Sequence, residues 1–162
     1  HRDLHSFPTR RSSDLLVEFT NVSVGRGTPS PFEHIGAPWI HDGKLAQRMR
    51  QEEIAGVEVL PDRFTPEASV YKNEDCAGVR FYLSDREAFR PLDLGIELMR
   101  ALHGMYPKTF TLSAKGNVLL RHAPTIEAIL DGAGRDEIRE LWRPGLEDFL
   151  KRRETYLLYA RP

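Results

Sequence analysis

The sequence lacks the features that mark several common protein classes. It has one cysteine in 162 residues, Cys76, so no internal disulfide can form. It has no run approaching the roughly 20 apolar residues that a membrane-spanning helix requires. Its 23 Lys and Arg residues nearly balance its 24 Asp and Glu residues, so it has no basic excess for binding nucleic acid. Because 40% of the residues are hydrophobic, the chain is not a disordered tail, and we predict one globular domain.

Motifs for metal and nucleotide binding are also missing. The histidines have no zinc-like spacing, so we expect neither a metal site nor a cofactor. The stretch Gly25-Arg26-Gly27-Thr28 superficially resembles a phosphate-binding loop. It lacks the GxxxxGK[ST] pattern, however, and no amphipathic helix follows it directly, so nucleotide binding is disfavoured.

Residues 1–15 differ from the rest of the chain. They are polar, and their few apolar residues follow neither a strand nor a helix period. Residues 5–15, HSFPTRRSSDL, resemble the in-frame translation of a common sequencing adapter. We therefore interpret residues 1–15 as a non-native or disordered leader and residues 16–162 as the domain.

The remaining chain mixes strand-like and helix-like patterns without regular βαβ alternation, which favours an α+β fold. The predicted strands cover residues 16–20, 57–59, 79–83 and 110–112, and the predicted helices cover residues 42–54, 91–104, 125–130 and 136–159. Pro144 should kink or split the last helix. The connection over residues 61–75 is unusually long, and long connections are often functional.

The most polar chemistry follows the first predicted strand, over residues 18–28. This segment offers a carboxylate, hydroxyls, a carboxamide and a guanidinium within eleven residues. Gly25 and Gly27 flank Arg26, so the backbone can adopt positive φ and approach a ligand closely. Such a loop suits a sugar or an anion. A rigid glycine turn whose arginine only caps a carbonyl group is equally compatible.

A family resemblance covers the same segment. Residues 17–40, VEFTNVSVGRGTPSPFEHIGAPWI, resemble the corresponding stretch of the bacterial exo-β-N-acetylmuramidases. That family's motif is (L/V)E-x-TN-(L/V/I)S-x-GRGT followed by PFE-x-x-GAP(W/Y)I, and every fixed element is present here. Phe19 stands where many relatives have glycine. Weaker similarity at 64–66, 76–79 and 157–159 extends the resemblance over essentially all of residues 16–162.

The resemblance implies the C-terminal domain of a two-domain glycosidase. In this family an N-terminal Rossmann-like domain carries the catalytic glutamate. The C-terminal part closes the cleft in which terminal N-acetylmuramic acid is hydrolysed from the non-reducing ends of peptidoglycan fragments. The expected partners are therefore the missing N-terminal domain and peptidoglycan fragments, and the fragment alone should be inactive. The residue patterns predict a small mixed sheet, about four helices and a helical C-terminal third. The resemblance further implies a barrel-like sheet and a location outside the cytoplasm.

The resemblance also suggests which side chains bind the sugar. Arg26 is the first choice for the lactyl carboxylate of N-acetylmuramic acid, because a planar guanidinium matches a carboxylate. The amide, hydroxyl and close backbone contacts are assigned to other residues of the loop, namely Asn21, Ser23, Gly27 and Thr28. Trp39 would stack on a sugar face, or would instead pack its loop against the core.

The two carboxylates of the motif, Glu18 and Glu33, are weak catalytic candidates. Glycoside hydrolysis usually needs two carboxyl groups about 5–5.5 Å or 6.5–9.5 Å apart. Burial on a strand would suit Glu18 to general-acid use, but we favour a structural ion pair between Glu18 and Arg26. Glu33 could simply accept hydrogen bonds from loop amides. We therefore assign no catalytic residue in this fragment.

Three hypotheses remain open. A substrate-cleft domain predicts an exposed apolar face near residues 21–40. A non-catalytic carbohydrate- or anion-binding module predicts a self-contained pocket. A structural docking domain predicts that Arg26 and Asn21 are fully engaged in internal hydrogen bonds.

Overall fold

A computed structural model of the chain describes residues 16–113, 120 and 122–157. The predicted leader, residues 1–15, lies outside these residues. The described part contains the strands β1 (His34–Ala37), β2 (Val57–Phe64) and β3 (Cys76–Leu83). It also contains the helices α1 (Asp42–Arg50), α2 (Pro91–Met105), α3 (Ala123–Leu130) and α4 (Arg135–Glu154). The predicted α+β class is confirmed.

The three strands form one sheet in the order β1-β3-β2. Both pairs are antiparallel, so the described sheet is not mixed. The pairing of β1 with β3 needs glycine, because a Cβ atom on Gly78 would lie 1.9 Å from the carbonyl oxygen of Ile35. Strand β2 extends through Pro61 to Phe64, further than predicted. Proline is tolerated there because β2 is an edge strand.

The strands predicted over residues 16–20 and 110–112 are not formed. Residues 16–19 form a turn, because both the backbone N–H and the hydroxyl of Thr20 donate to the carbonyl oxygen of Val17, at 3.0 and 2.6 Å. The two segments meet only at an isolated antiparallel bridge between Thr20 and Leu112. The apolar run at residues 16–20 is nevertheless buried, since Val17 is fully buried and Phe19 is 3% exposed.

Helix α1 packs on the sheet through the predicted face. Its buried residues are Leu45, Ala46 and Met49. The predicted cap, Asp42, is the first helical residue, and the helix ends at Arg50 rather than at residue 54. Helix α2 begins at Pro91 as predicted and is mostly buried, although Leu92 is 47% exposed. These helices supply much of the core that supports the sheet.

Helix α4 is a single helix with Pro144 inside it, and it ends at Glu154. Ile138 is its buried residue, and Arg139 pairs with Asp93 of α2. Further along, Leu146 and Phe149 are more than half exposed. Thus the N-terminal part of α4 holds the helix against the domain. The helical C-terminal third is confirmed for the described residues.

No described helix is both long enough and apolar enough to cross a membrane.

Candidate functional site

The polar loop of the motif forms a tight turn over residues 25–28, here called the Arg26 turn. The N–H of Thr28 donates to the carbonyl oxygen of Gly25 at 3.1 Å. Gly25 has φ +69° and Gly27 has φ +88°. A positive φ at the third position is what a type II turn requires, and glycine adopts it at little cost. The two glycines of the motif therefore shape the turn that carries Arg26.

The guanidinium of Arg26 is oriented by two contacts. One Nη atom donates to the carboxylate of Glu18, which is the ion pair favoured from the sequence. The Cζ atom lies 5.0 Å from the centre of the Phe32 ring, a cation–π distance. The side chain remains 47% exposed, and its other N–H groups have no hydrogen-bond acceptor among the described residues. Arg26 is therefore held in place with part of its donor set free.

Arg26 and Glu18 lie at a cavity of about 420 Å³, here called the Arg26 cavity. The lining comes from three parts of the chain and consists of Glu18, Phe19, Val22, Ser23, Val24, Arg26, Ser69, Val70 and Ser113. Phe19, Val22 and Val24 are buried, whereas Ser69 and Ser113 are exposed. The volume lies within the range of about 300–1,000 Å³ typical of small-molecule sites.

Two of the predicted contacts, Asn21 and Ser23, are engaged inside the protein. The carboxamide of Asn21 donates to the carbonyl oxygen of Thr109 at 2.7 Å and accepts from the N–H of Thr111 at 2.8 Å. The hydroxyl of Ser23 accepts from the N–H of Gly25 at 3.3 Å. Asn21 thus joins the motif loop to residues 109–111, as the docking-domain hypothesis predicted, and it does not line the Arg26 cavity.

Thr28 contacts a buried histidine. Its hydroxyl lies 2.7 Å from the carbonyl oxygen of Gly25 and 3.0 Å from Nε2 of His34. The other ring nitrogen of His34, Nδ1, lies 2.8 Å from a carboxylate oxygen of Asp62 on β2. This chain of contacts connects the Arg26 turn to the sheet. No local sequence pattern links His34 to Asp62, because they lie 28 residues apart.

Trp39 packs its loop inside the domain. Its indole N–H donates to the hydroxyl of Tyr71 at 2.8 Å, and its ring meets Tyr106 edge to face at 5.2 Å. Trp39 does not line the Arg26 cavity. Of the two alternatives, the packing contact is the one observed.

Glu33 is likewise paired. Its carboxylate accepts from Arg80 at 3.1 Å, and the same arginine donates to the hydroxyl of Ser30 at 2.7 Å. Glu33 does not line the Arg26 cavity, so the two weak catalytic candidates are separated: Glu18 lies at the cavity and Glu33 contacts strand β3.

The segment between β2 and β3 forms a wall of the Arg26 cavity that no sequence motif predicts. The carbonyl oxygen of Arg26 accepts from the N–H groups of Glu67 and Ala68, both at 3.1 Å. Ser69 has φ +68°, a conformation that costs a side-chain-bearing residue energy. Val70 follows it in the cavity lining. The available signal was the unusual length of this connection.

The exposed apolar face expected near residues 21–40 is not found. Phe32 lies under Arg26, and Trp39 packs on Tyr71. The larger exposed apolar side chains of the described residues lie elsewhere, several of them on or just after α4.

Cys76 is a buried core residue, as predicted. Burial, together with the charges of Glu74 and Asp75, raises the pKa of its thiol to about 11. Within the described residues, no group of three His, Cys, Asp or Glu side chains could hold a metal ion.

The fold and the site define the class: an α+β domain whose glycine-framed arginine turn opens onto a small cavity lined by both apolar and polar side chains. The family follows from comparison with known proteins. Residues 13–159 match the family described as "Exo-beta-N-acetylmuramidase NamZ, C-terminal". The chain belongs to this family, as the motif over residues 17–40 indicated.

Individual relatives agree with this membership. The chain is 33% identical over 146 residues to the peptidoglycan β-N-acetylmuramidase NamZ of Bacillus subtilis, covering 89% of this chain and 35% of that protein. Two DUF1343 family proteins of Bacteroides fragilis have similar crystal structures. One has a TM-score of 0.69 at 22% identity, and the other a TM-score of 0.62 at 25% identity. Each match covers 94% of this chain and 41% or 42% of the solved chain. The chain thus spans about a third of the curated relative.

Proposed function

We propose that this chain is the substrate-cleft domain of an exo-β-N-acetylmuramidase. In this proposal the Arg26 cavity receives the non-reducing terminal N-acetylmuramic acid of a peptidoglycan fragment, and a catalytic domain outside this chain hydrolyses the glycosidic bond. The observation that carries the proposal is Arg26 itself, which is half exposed at a 420 Å³ cavity with guanidinium N–H groups left free. The name of the 33% identical relative supports the choice of sugar.

The contacts of Arg26 suit a carboxylate ligand. An arginine can present two parallel N–H groups to a carboxylate, which adds both geometric specificity and energy. Because Glu18 occupies one Nη atom and Phe32 faces the guanidinium, the orientation is set before the ligand arrives. Less conformational entropy is then lost on binding. N-Acetylmuramic acid differs from N-acetylglucosamine by its lactyl carboxylate, so Arg26 would discriminate between the two sugars.

The other motif residues shape this contact in the proposal. Gly27 gives the turn its left-handed backbone, and Thr28 closes the turn. Among the hydroxyl-bearing residues that line the cavity, Ser23 is the closest to Arg26 in sequence. Asn21 and Trp39 anchor the loop through their hydrogen bonds to Thr109 and Tyr71. Neither Glu18 nor Glu33 has a catalytic role here, because each carboxylate is ion-paired with an arginine.

The first experiment measures sugar binding to this chain. Titration with N-acetylmuramic acid, followed by NMR, should shift the Arg26 side-chain resonance, and N-acetylglucosamine should bind at least tenfold more weakly. Arg26→Ala should remove that difference. Arg63→Ala is a matched control, because Arg63 is also an exposed arginine in an ion pair, with Asp42 at 2.9 Å, and lies outside the cavity. Equal affinity for both sugars in the unchanged chain would reject the carboxylate contact.

The second experiment tests the role in catalysis. Residues 13–159 would replace the matching segment of the Bacillus subtilis relative, and release of N-acetylmuramic acid from a muramic-acid glycoside would be measured. The chimera should be active, its Arg26→Ala variant should lose at least tenfold in kcat/KM, and the isolated chain should be inactive. If the chain binds the sugar but a folded chimera has no activity, a non-catalytic binding module is the better description.

A further inference from the structure

His34 is an unusual core residue. It is 4% exposed, yet its imidazole has a polar partner at each nitrogen. The ring stacks on Phe64 with centroids 3.9 Å apart and planes inclined by 19°. The ring therefore has very little freedom to move, because its face and both of its nitrogen atoms are in contact.

The two partners of His34 have different functions. Asp62 can only accept when ionised, so Nδ1 carries the hydrogen of that contact. Nε2 then faces the hydroxyl of Thr28, which is the last residue of the Arg26 turn. Asp62 lies on strand β2 and thus holds the ring from the sheet side. The contacts run from the sheet through the ring to the turn.

The first residue of the turn also rests on this ring. A Cβ atom on Gly25 would lie 2.2 Å from Nε2 of His34, so the Gly25 backbone lies directly against the imidazole. Both ends of the turn, Gly25 and Thr28, therefore contact one rigid ring, and Arg26 lies between them. A change in the ring would therefore alter the contacts at both ends of the turn.

We propose that His34, held by Asp62, is a positioning residue that sets the direction of Arg26 and thereby the preference for a carboxylate-bearing sugar. The sugar preference rests on the proposed function, whereas the orientation of Arg26 does not. A purely structural histidine would contribute to stability and leave the Arg26 side chain unchanged. The two roles differ in what they predict for Arg26 in a variant that folds.

The variants separate packing from polar contact. His34→Phe keeps an aromatic ring on Phe64 and removes both nitrogen contacts. Thr28→Val keeps the side-chain shape and removes the hydroxyl, which also ends its contacts with Gly25 and Ser30. His122→Phe is the matched control, because Nδ1 of His122 lies 2.8 Å from the hydroxyl of Thr125 in a comparable pair away from the cavity.

The first readout needs no ligand. The Nε–H resonance of Arg26 and hydrogen exchange at the Thr28 amide are measured by NMR in variants that show a cooperative unfolding transition. Because the turn would lose its hydrogen bond with His34, Thr28 exchange should accelerate about tenfold in His34→Phe, and the Arg26 resonance should move. His122→Phe should leave both signals unchanged. Unchanged signals in a folded His34→Phe variant would overturn the proposal.

The second readout uses the two sugars. The affinity ratio of N-acetylmuramic acid to N-acetylglucosamine should fall about tenfold in His34→Phe and Thr28→Val and should not change in His122→Phe. An unchanged ratio would remove the specificity role. If the unmodified chain binds neither sugar, the proposed function fails, and the Arg26 and Thr28 signals still decide whether His34 positions the turn. Should His34→Phe fail to fold, Asp62→Ala, which removes the Nδ1 partner of the ring and leaves the turn residues unchanged, provides the comparison.

Discussion

Replacing Gly25 by alanine tests the packing beneath the Arg26 turn. Gly25 has φ +69°, and a Cβ atom there would lie 2.2 Å from Nε2 of His34. Real Cβ atoms do not approach so closely, so either the ring or the turn must shift. The ring cannot shift cheaply, because it stacks on Phe64 and contacts Asp62. The substitution should therefore be costly for two separate reasons.

Three other glycines separate the cost of a left-handed backbone from the cost of a close contact at the Cβ position. Gly132 has φ +81° and open space around its Cβ position, so Gly132→Ala should cost about 1–2 kcal/mol for the left-handed backbone alone. Gly78 has a close contact, 1.9 Å to the carbonyl oxygen of Ile35, without a positive φ. Gly78→Ala should cost about 3 kcal/mol or more, the upper end for overpacking, because the obstructing atoms are backbone. Gly104 has neither feature and lies in the last turn of α2, so Gly104→Ala should stabilise the helix by at most about 0.5–1 kcal/mol, the gain for a position in the middle of a helix.

Gly25→Ala combines both penalties and should cost about 2–5 kcal/mol. Urea denaturation followed by tryptophan fluorescence measures the free energy of unfolding of all four variants, with equal m values required for the comparison. The expected order of stability is Gly104→Ala, then unmodified protein, then Gly132→Ala, then Gly25→Ala, with Gly78→Ala among the least stable. If Gly25→Ala costs no more than Gly132→Ala, the close contact with His34 is wrong.

Two further predictions concern buried titratable groups. Because burial raises the pKa of the Cys76 thiol to about 11, iodoacetamide should alkylate the folded chain slowly at pH 8 and far faster in urea; equal rates would contradict its burial. Burial also raises the pKa of Glu97, although Arg100 and Arg135 oppose the shift. The folded state then binds this proton more tightly than the unfolded state, so Glu97 lowers the free energy of unfolding as pH rises above about 4.5. Glu97→Gln should flatten that part of the stability profile, and an unchanged slope would contradict the shift.

Local pattern predicted much of the fold. Alternation over residues 79–83 indicated β3, and the spacing of Leu45 and Met49 indicated the buried face of α1. The apolar run at residues 16–20 was correctly read as buried but wrongly read as a strand. Its conformation depends on hydrogen bonds from Thr20 to Val17 rather than on the apolar character of the run. Period and composition do not contain that information.

The candidate site was likewise predicted only in part, through features that are local in the sequence. The glycines on either side of Arg26 indicated a tight turn, and the Glu18–Arg26 ion pair was expected from their proximity in the chain. Ser113 could not be found this way, because it reaches the Arg26 cavity only through folding.

The sequence by itself determined the α+β class, most helices and strands, the conformation of the Arg26 turn and the family, because each depends on residues close together in the chain. The tertiary structure alone decided which donors remain free. It placed Asp62 against His34 and residues 109–111 against Asn21, and it left part of the Arg26 guanidinium without a protein acceptor among the described residues. Contacts between distant segments form only when the chain folds, and they separate the side chain available to a ligand from those that hold it in place.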